Sequence, residues 1–345
     1  MNASTNRANR FAITHIPRPV IQAPMAGGPS TPRLAAAVSG AGGLGFLAAG
    51  YKTAGALRAE IAAVRDVTDA PFGVNLFVPQ PSVARPDQLA EYARILAPEA
   101  EHLGVDAGEP RYDDDDWKNK ISVLLELAPA VASFTFDVPE PGIIRALQDR
   151  GVAVTVTVTS RPEAEKAAAA GADSLSVQGP EAGGHRGTFD ATAPGNPTPL
   201  YALLEDLAGM GIPLIAAGGI ATRADVQEAL FRGAVAVQAG TAFLRAEEAG
   251  TRAAHRAALA SPAFPATAVT KAFSGRYARG LSNDFMKRYD PVAPFGYPEI
   301  HHLTSPLRAA AAAANDPHRI NLWAGTGFNR CVAGSAASIL DRLSD

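Results

Sequence analysis

In 181-EAGGHRGTFD-190 a single histidine, His185, stands between a glycine pair and an arginine, with carboxylates at both ends of the stretch. Imidazole titrates near neutral pH, so a histidine in such a loop can serve as a general base. Read alone, the better account is a loop histidine bonded to solvent or backbone. Its setting shifts that account. The apolar run Ser174 to Val177, ended by Gln178, leads straight into the loop, and Gly183 and Gly184 would let backbone approach a flat ligand. Two more glycine loops follow apolar runs. In 214-LIAAGGIATRADVQEAL-230 the run ends at Gly218-Gly219 and a helix begins near Thr222 to Asp225; in 235-VAVQAGTAFL-244 the run ends at Gln238 and supplies Gly240 and Thr241. Glycine admits close backbone approach, and the start of a helix offers unspent N–H groups to an anion. Either loop alone is only a tight turn. Adjacent and in this order, they make a phosphate site, provided the runs are neighbouring barrel strands.

The remaining candidates are weaker one by one. Asn75 and Gln178 close apolar runs and could hydrogen-bond the edge of a heterocycle, whereas Gln22 could equally be a polar group satisfied within its strand. Met25, in a Pro-Met-Ala-Gly-Gly turn, could lay a thioether against a ring or simply fill core. Tyr297 and Lys271, far downstream, are possible substrate-side groups, with an ordinary surface position as the alternative. Other chemistries find no support. There is no GxxxxGK[ST], HExxH or GxSxG; 40-GAGGLG-45 precedes a run where a dinucleotide fingerprint must follow one. His301 and His302 are adjacent and make a poor metal pair, and the one cysteine, Cys331, excludes both an internal disulfide and a zinc cluster. The acidic run Asp113 to Asp116 reads as a solvated helix start. No metal is expected.

Eight runs must position these loops: Val20–Gln22, Gly43–Leu47, Phe72–Leu76, Val131–Thr135, Val154–Val158, Ser174–Val177, Leu214–Ala217 and Val235–Gln238. Helix-like segments separate them, among them Pro32–Ser39, Ala54–Arg65 and 118-KNKISVLLELA-128. The runs look apolar on both faces, as parallel strands under helices should, which gives an α/β class. Eight units in about 240 residues suit a (β/α)8 TIM barrel. A doubly wound sheet is the rival that periodicity alone does not exclude. Two stretches exceed a bare barrel: the polar 79–121, after the third run, and 247–307, with its basic-aromatic 271-KAFSGRYARGLSNDFMKRYD-290. The expected division is therefore 11–246 as barrel core, 247–307 as a smaller insertion capping its mouth, and 308–345 as closing helices at Pro306–Ala314 and Ser335–Leu343.

Composition bounds the setting. The 345 residues carry 31 basic and 34 acidic side chains, a net charge of −3, so neither nucleic acid nor an anionic membrane is an expected partner. The polar N-terminus has no apolar core of signal-peptide length, and the apolar runs are too short to span a bilayer. These features lead to an expectation of a cytoplasmic protein whose first ten residues fray.

Taken together, 21-IQAPMAGG-28, 73-GVNLF-77, 174-SLSVQGPEAGGHRG-187, 214-LIAAGGIAT-222 and 235-VAVQAGTAFL-244 resemble the nitronate monooxygenase (2-nitropropane dioxygenase) family. The later 304-TSPLRAAA-311 and 322-LWAGTG-327 resemble its class I, bacterial-type branch, although Thr326 stands where a larger polar residue is expected. The resemblance runs from about residue 16 to 340. It implies an FMN-binding barrel that oxidatively denitrifies alkyl nitronates, such as propionate 3-nitronate, with O2 and no metal, and it is compatible with a homodimer. By match, His185 is the catalytic histidine and Gly183 and Gly184 contact FMN. Gly218, Gly219, Gly240 and Thr241 match the phosphate loops, with Gln238 beside them, and Met25, Asn75 and Gln178 match flavin-ring contacts. Two alternatives stay open: an NAD(P)H-dependent flavin reductase of quinones or enoyl thioesters, and a non-catalytic flavin or sugar-phosphate barrel. Related reductases carry a His-Lys pair on the fifth strand, where this chain has Val156 and Thr157, which argues against the first.

Overall fold

The computed structural model describes residues 10–344. The fraying expected of the first ten residues falls outside this range except at Arg10, whose guanidinium pairs with Asp173 at 2.9 Å.

Eight parallel strands form one sheet: β1 (Val20–Gln22), β2 (Phe46–Ala48), β3 (Gly73–Phe77), β4 (Val131–Thr135), β5 (Ala153–Val158), β6 (Ser174–Gln178), β8 (Leu214–Ala217) and β9 (Ala236–Ala239). β7 (Gly184–His185) lies outside it. The order β1-β9-β8-β6-β5-β4-β3-β2 returns on itself, because a parallel bridge from Ile21 to Leu44 joins β1 to the residues entering β2. The sheet is thus a closed (β/α)8 barrel, and the doubly wound alternative is excluded. All eight expected strands are present, within three residues at each end.

Helices α1 (Pro32–Gly40), α2 (Ala54–Arg65), α4 (Trp117–Leu127), α5 (Pro141–Asp149), α6 (Arg161–Ala170), α7 (Leu200–Leu207) and α8 (Arg223–Phe231) alternate with the strands, and an additional helix, α3 (Pro86–Leu103), precedes α4 between β3 and β4. Their starts are written locally. Thr31, Thr53 and Thr222 accept from the backbone amides of Leu34, Ala56 and Asp225, and Thr222 with Asp225 completes a capping box. Each strand's outward side chains pack on these helices. Val154, Val156 and Val158 of β5, for example, are fully buried in the shell between sheet and helices.

The inner face differs from the expectation of runs apolar on both sides. Its lower half is apolar, with Ile21, Phe46, Val131, Ala153 and Ile215 closed off by Ile13 and Ile16. Its upper half is small and polar: Thr155 bonds Ser174 at 2.7 Å, and Asn75 donates to Ser133 and Thr135. β5, Ala-Val-Thr-Val-Thr-Val, alternates strictly, so its threonines line the barrel and its valines face the helices. A polar upper lumen is what a ligand seated on the barrel needs beneath it.

After β9 come α9 (Ala253–Ala260), β10 (Thr267–Thr270), β11 (Ala278–Leu281), α10 (Asp284–Tyr289), α11 (Glu299–Ala313) and α12 (Ala336–Ser344). One expectation is filled in here and another corrected. The polar excursion 79–121 contains the 18-residue helix α3, whose Tyr92 and Leu96 pack with Phe273, Phe285, Ile300, Leu303 and Leu307 in a second core beside the barrel. The helix expected from Pro306 begins seven residues earlier, at Glu299, and runs unbroken through the expected boundary at 307. Pro306 lacks an N–H for the preceding turn, and Gly108 lies against that turn, donating to the Leu303 carbonyl at 2.8 Å. A Cβ on Gly108 would fall 2.1 Å from the His302 carbonyl oxygen. Of the two C-terminal helices, α12 packs on α1, α8 and β1 and so belongs to the barrel wall, while α11 packs on α3. No helix among the described residues is long and apolar enough to cross a membrane.

Candidate active site

The loops that leave the strands' C-terminal ends enclose a cavity of about 370 Å³. His185 reaches it by a route the sequence did not announce. Its two-residue strand β7 pairs antiparallel with β11, Ala278 opposite His185 and Arg279 opposite Gly184, and β11 pairs in turn with β10. The segment after the barrel therefore supplies the sheet that fixes the histidine loop. Arg186 N–H donates to the Tyr277 carbonyl at 2.8 Å, extending the pairing. The buried Arg186 side chain folds back to the carbonyls of Gly179 and Ala182, and Asp190 accepts from Thr192 N–H and Oγ1; both brace the loop.

The His185 ring sits edge-on to three aromatic rings, Phe136 at 5.9 Å, Tyr297 at 5.5 Å and Trp323 at 5.6 Å between centroids. Its Nε2 is 2.9 Å from Ser274 Oγ, and Ser274 spends its single proton on the Arg276 carbonyl at 3.2 Å. The hydroxyl can then only accept from the ring, so Nε2 carries the proton and Nδ1 keeps its lone pair. Burial holds the imidazole's pKa down to about 3, helped by the positive charges of Arg276, Arg308 and Arg186. His185 is a neutral acceptor at any ordinary pH.

Arg276 is the keystone beneath this arrangement. It is 1% exposed, donates to Gln80 Oε1 and to the Thr188 and Arg186 carbonyls, and lies 4.0 Å from the Phe136 ring centroid. Phe136 adopts φ +85, an unusual conformation for a bulky residue, in the turn that follows β4.

The glycine loops form the cavity floor. Gly218 and Gly219 take φ +123 and +73, and their amides, with those of Gly240 and Thr241, donate to no other described residue. Four unspent N–H groups facing a cavity are an anion cradle in waiting. Gly183 must be glycine for a packing reason: a Cβ there would lie 2.5 Å from the backbone of Ala324 and Gly325. Thr241 Oγ1 accepts from Gly325 N–H at 2.9 Å, tying the same strap to the floor. Met25, Asn75, Gln178 and Gln238 all line the cavity. Asn75 spends its amide N–H groups on Ser133 and Thr135, leaving its oxygen as the free group. Gln178 donates to the His185 carbonyl at 3.1 Å and accepts from Gly187 N–H at 2.8 Å, so it braces the catalytic-loop candidate as well as lining the cavity.

Two sequence candidates fare differently. Tyr297 touches the His185 ring and donates to Tyr51 Oη at 3.1 Å, beside the cavity. Lys271 is not in the site: its Nζ donates to the Asp290 carbonyl at 3.0 Å and lies near the Phe295 ring, held by the insertion's own loop. The acidic run is likewise more than solvated surface. Asp115 and Asp116 accept from the amides of Tyr51 and Ala54, and Asp115 pairs with the buried Lys120 at 2.8 Å, clamping the β2–α2 loop. No cluster of metal-ligating side chains occurs among the described residues.

Sequence reading missed the wall built by α11. Arg308 is buried and lines the cavity, yet all its partners are neutral: Thr304 Oγ1, Asn321 Oδ1, and the carbonyl and Nδ1 of His301. Burial lowers its pKa to about 10, so it stays charged at neutral pH. Because Nδ1 of His301 accepts from Arg308, its other nitrogen bears the proton. Burial and the Arg308 charge hold the His301 pKa down to about 2. The ring stacks on Tyr51, 3.9 Å between centroids and 5° from parallel. The signal was present: 301, 304, 305 and 308 share one face at helical spacing, but a helix begun at Pro306 hides it.

Comparison with known proteins fits this geometry. The nitronate monooxygenase family model matches residues 9–344. A nitronate monooxygenase of Pseudomonas aeruginosa is 41% identical over 98% of each chain. A probable nitronate monooxygenase of Staphylococcus saprophyticus is 36% identical over 96% of this chain and 95% of its own. Among solved structures, a nitroalkane oxidase from Streptomyces ansochromogenes superposes with a TM-score of 0.93 at 44% identity, covering 96% of both chains.

Proposed function

The chain belongs to the nitronate monooxygenase family, and from that premise we propose that it is an FMN-dependent enzyme that oxidatively denitrifies alkyl nitronates with O2. The observation that carries the reading is the meeting of three features in one cavity: a glycine floor with unspent amides, a neutral histidine acceptor, and a buried arginine without a carboxylate partner. The floor suits FMN. The amides of Gly218, Gly219, Gly240 and Thr241 would take the phosphate, while Gly184 and Met25 would border a flat ring system above the polar upper lumen and Gly183 lets the 324–325 strap close beside it. When bound, FMN supplies the electron acceptance and the reaction with O2 that oxidation of a nitronate requires.

The chain's own share is positioning, charge and control of one proton. Arg308, with the N–H of His301, favours an anionic ligand in the cavity. The edge-on rings of Phe136, Tyr297 and Trp323 fix the plane of His185, and Ser274 fixes its tautomer. Its Nδ1 lone pair then faces a neutral nitroalkane as a proton acceptor for the carbon acid, or packs against a nitronate that arrives already ionised. Protonation of the ring leaves an imidazolium among three arginines, so proton acceptance is favourable only when an anion shares the cavity.

The fifth strand argues against the reductase alternative. Val156 packs outward into the helix shell, and Thr157, on the inner face, bonds Thr135 at 3.3 Å. Neither is a proton donor of the His-Lys kind. The test is anaerobic reduction of the purified yellow protein by a preformed nitronate and by NADH, side by side. Bleaching by nitronate alone is expected. A flavin that stays oxidised with every nitronate, or that NADH bleaches faster, refutes the reading.

A further inference from the structure

The cavity's lining is electrostatically one-sided. It contains no aspartate or glutamate, whereas Arg252 and Arg308 both line it. Arg308 is the interior end. Arg252 is exposed, at the start of α9, so it stands where the cavity meets solvent. Its guanidinium makes no hydrogen bond or ion pair among the described residues. Its charge nonetheless reaches inward, disfavouring the protonated forms of both His255 and Arg308. His255, one turn along α9, is 8% exposed and lines the same wall, its ring held by the Trp323 backbone.

A second chamber of about 480 Å³ adjoins the first and shares Tyr51, Phe77, Phe136, His301 and Ser305 with it. Its lining has the opposite character, with the four carboxylates of Asp113 to Asp116. Lys52 and Arg111 also line it; Lys52 is paired with Glu60 at 2.7 Å and Asp115 with Lys120 at 2.8 Å, so the carboxylates of Asp113, Asp114 and Asp116 stand against Arg111. Two approaches of opposite charge therefore lead to one site. A low-dielectric cleft focuses the field of its lining charges, so an anion is drawn to the first approach and repelled from the second.

We propose that the anionic substrate enters past Arg252, between α9 and the 320–323 segment, and that Arg252 steers it toward Arg308. The acid-lined chamber is not its route. This rests on the reading of the cavity as a nitronate site. Arg252 acts through space, so it is a steering residue with no part in the chemistry.

The experiment measures kcat/KM and kcat of the flavin-loaded enzyme with a preformed alkyl nitronate over a range of NaCl concentrations. In the wild type, kcat/KM should fall as salt rises. Arg252→Glu should lower kcat/KM on the order of 10-fold at low salt and abolish or invert the salt dependence, with kcat held within about twofold. Arg252→Lys should restore both, and Asp114→Asn, in the other chamber, should change neither. Wild-type kcat/KM and salt slope in Arg252→Glu would overturn the proposal. So would an equal response in Asp114→Asn, or loss of bound flavin from Arg252→Glu, which would assign the arginine to the cofactor. A wild-type enzyme that reacts with no nitronate would instead sink the functional reading beneath it.

Discussion

The sharpest consequence of the site concerns acid. A histidine of ordinary pKa near 6.5 is about 97% protonated at pH 5, which would cut a rate that needs the neutral ring by roughly 30-fold between pH 8 and pH 5. His185 has its pKa depressed to about 3 by burial and by Arg276, Arg308 and Arg186. At pH 5 only about 1% of it is then protonated, and the loss disappears. The sign follows from the depression: the neutral form persists as pH falls through 6.5 and is lost only near the folded pKa. The assay is stopped-flow anaerobic flavin reduction with freshly dissolved neutral nitroalkane at each final pH, so that the α-proton His185 accepts is still on the carbon and slow spontaneous ionisation does not intrude. The apparent kcat/KM should stay flat from pH 8 to 5. His185→Gln should lower it on the order of 100-fold at every pH in that window. An acid limb near pH 6 to 7 in the wild type that vanishes in His185→Gln would refute the argument, because it would show a ring free to protonate in spite of its three arginines.

Other outcomes follow from the same contacts. Gly183→Ala places a Cβ 2.5 Å from backbone that cannot yield, and should cost about 1–3 kcal/mol in thermal or urea unfolding and lower flavin content. Gly184→Ala meets nothing within 4 Å but must hold φ +76, costing about 1–2 kcal/mol with flavin retained; flavin loss in the reverse order would contradict the packing account. Arg308→Met should raise KM for nitronates on the order of 100-fold while kcat changes far less, as steady-state kinetics would show; a pure kcat effect would move Arg308 from binding to chemistry. Lys271→Met removes a hydrogen bond to the Asp290 carbonyl and a cation beside the Phe295 ring, both away from the cavity, and should leave both kinetic constants as they are.

What was legible in the sequence, and what was not, divides along a physical line. The barrel was legible because a strand between sheet and helices must carry apolar residues on its outer face whatever the protein does, and Val154, Val156 and Val158 could not be otherwise. The glycine floor was legible because φ +123 at Gly218 and the 2.5 Å approach at Gly183 admit no other residue type. The cavity's opposite wall was not. Tyr51, Ser274, His301, Arg308 and Trp323 come from segments up to 272 positions apart, and no local pattern says that they meet. Each is ordinary where it stands; together they matter because α3 and α11 pack against one another beside the barrel. Even the local clue on α11 was masked by Pro306, which reads as a helix start and in fact sits mid-helix, with Gly108 filling the place of the lost turn. That helix carries His301 and Arg308 on the face that lines the cavity. The barrel thus supplies the floor and the histidine loop, and α11 supplies the buried positive charge of the opposite wall. A change in the packing of α3 on α11 should therefore alter which anions bind while leaving the floor as it is.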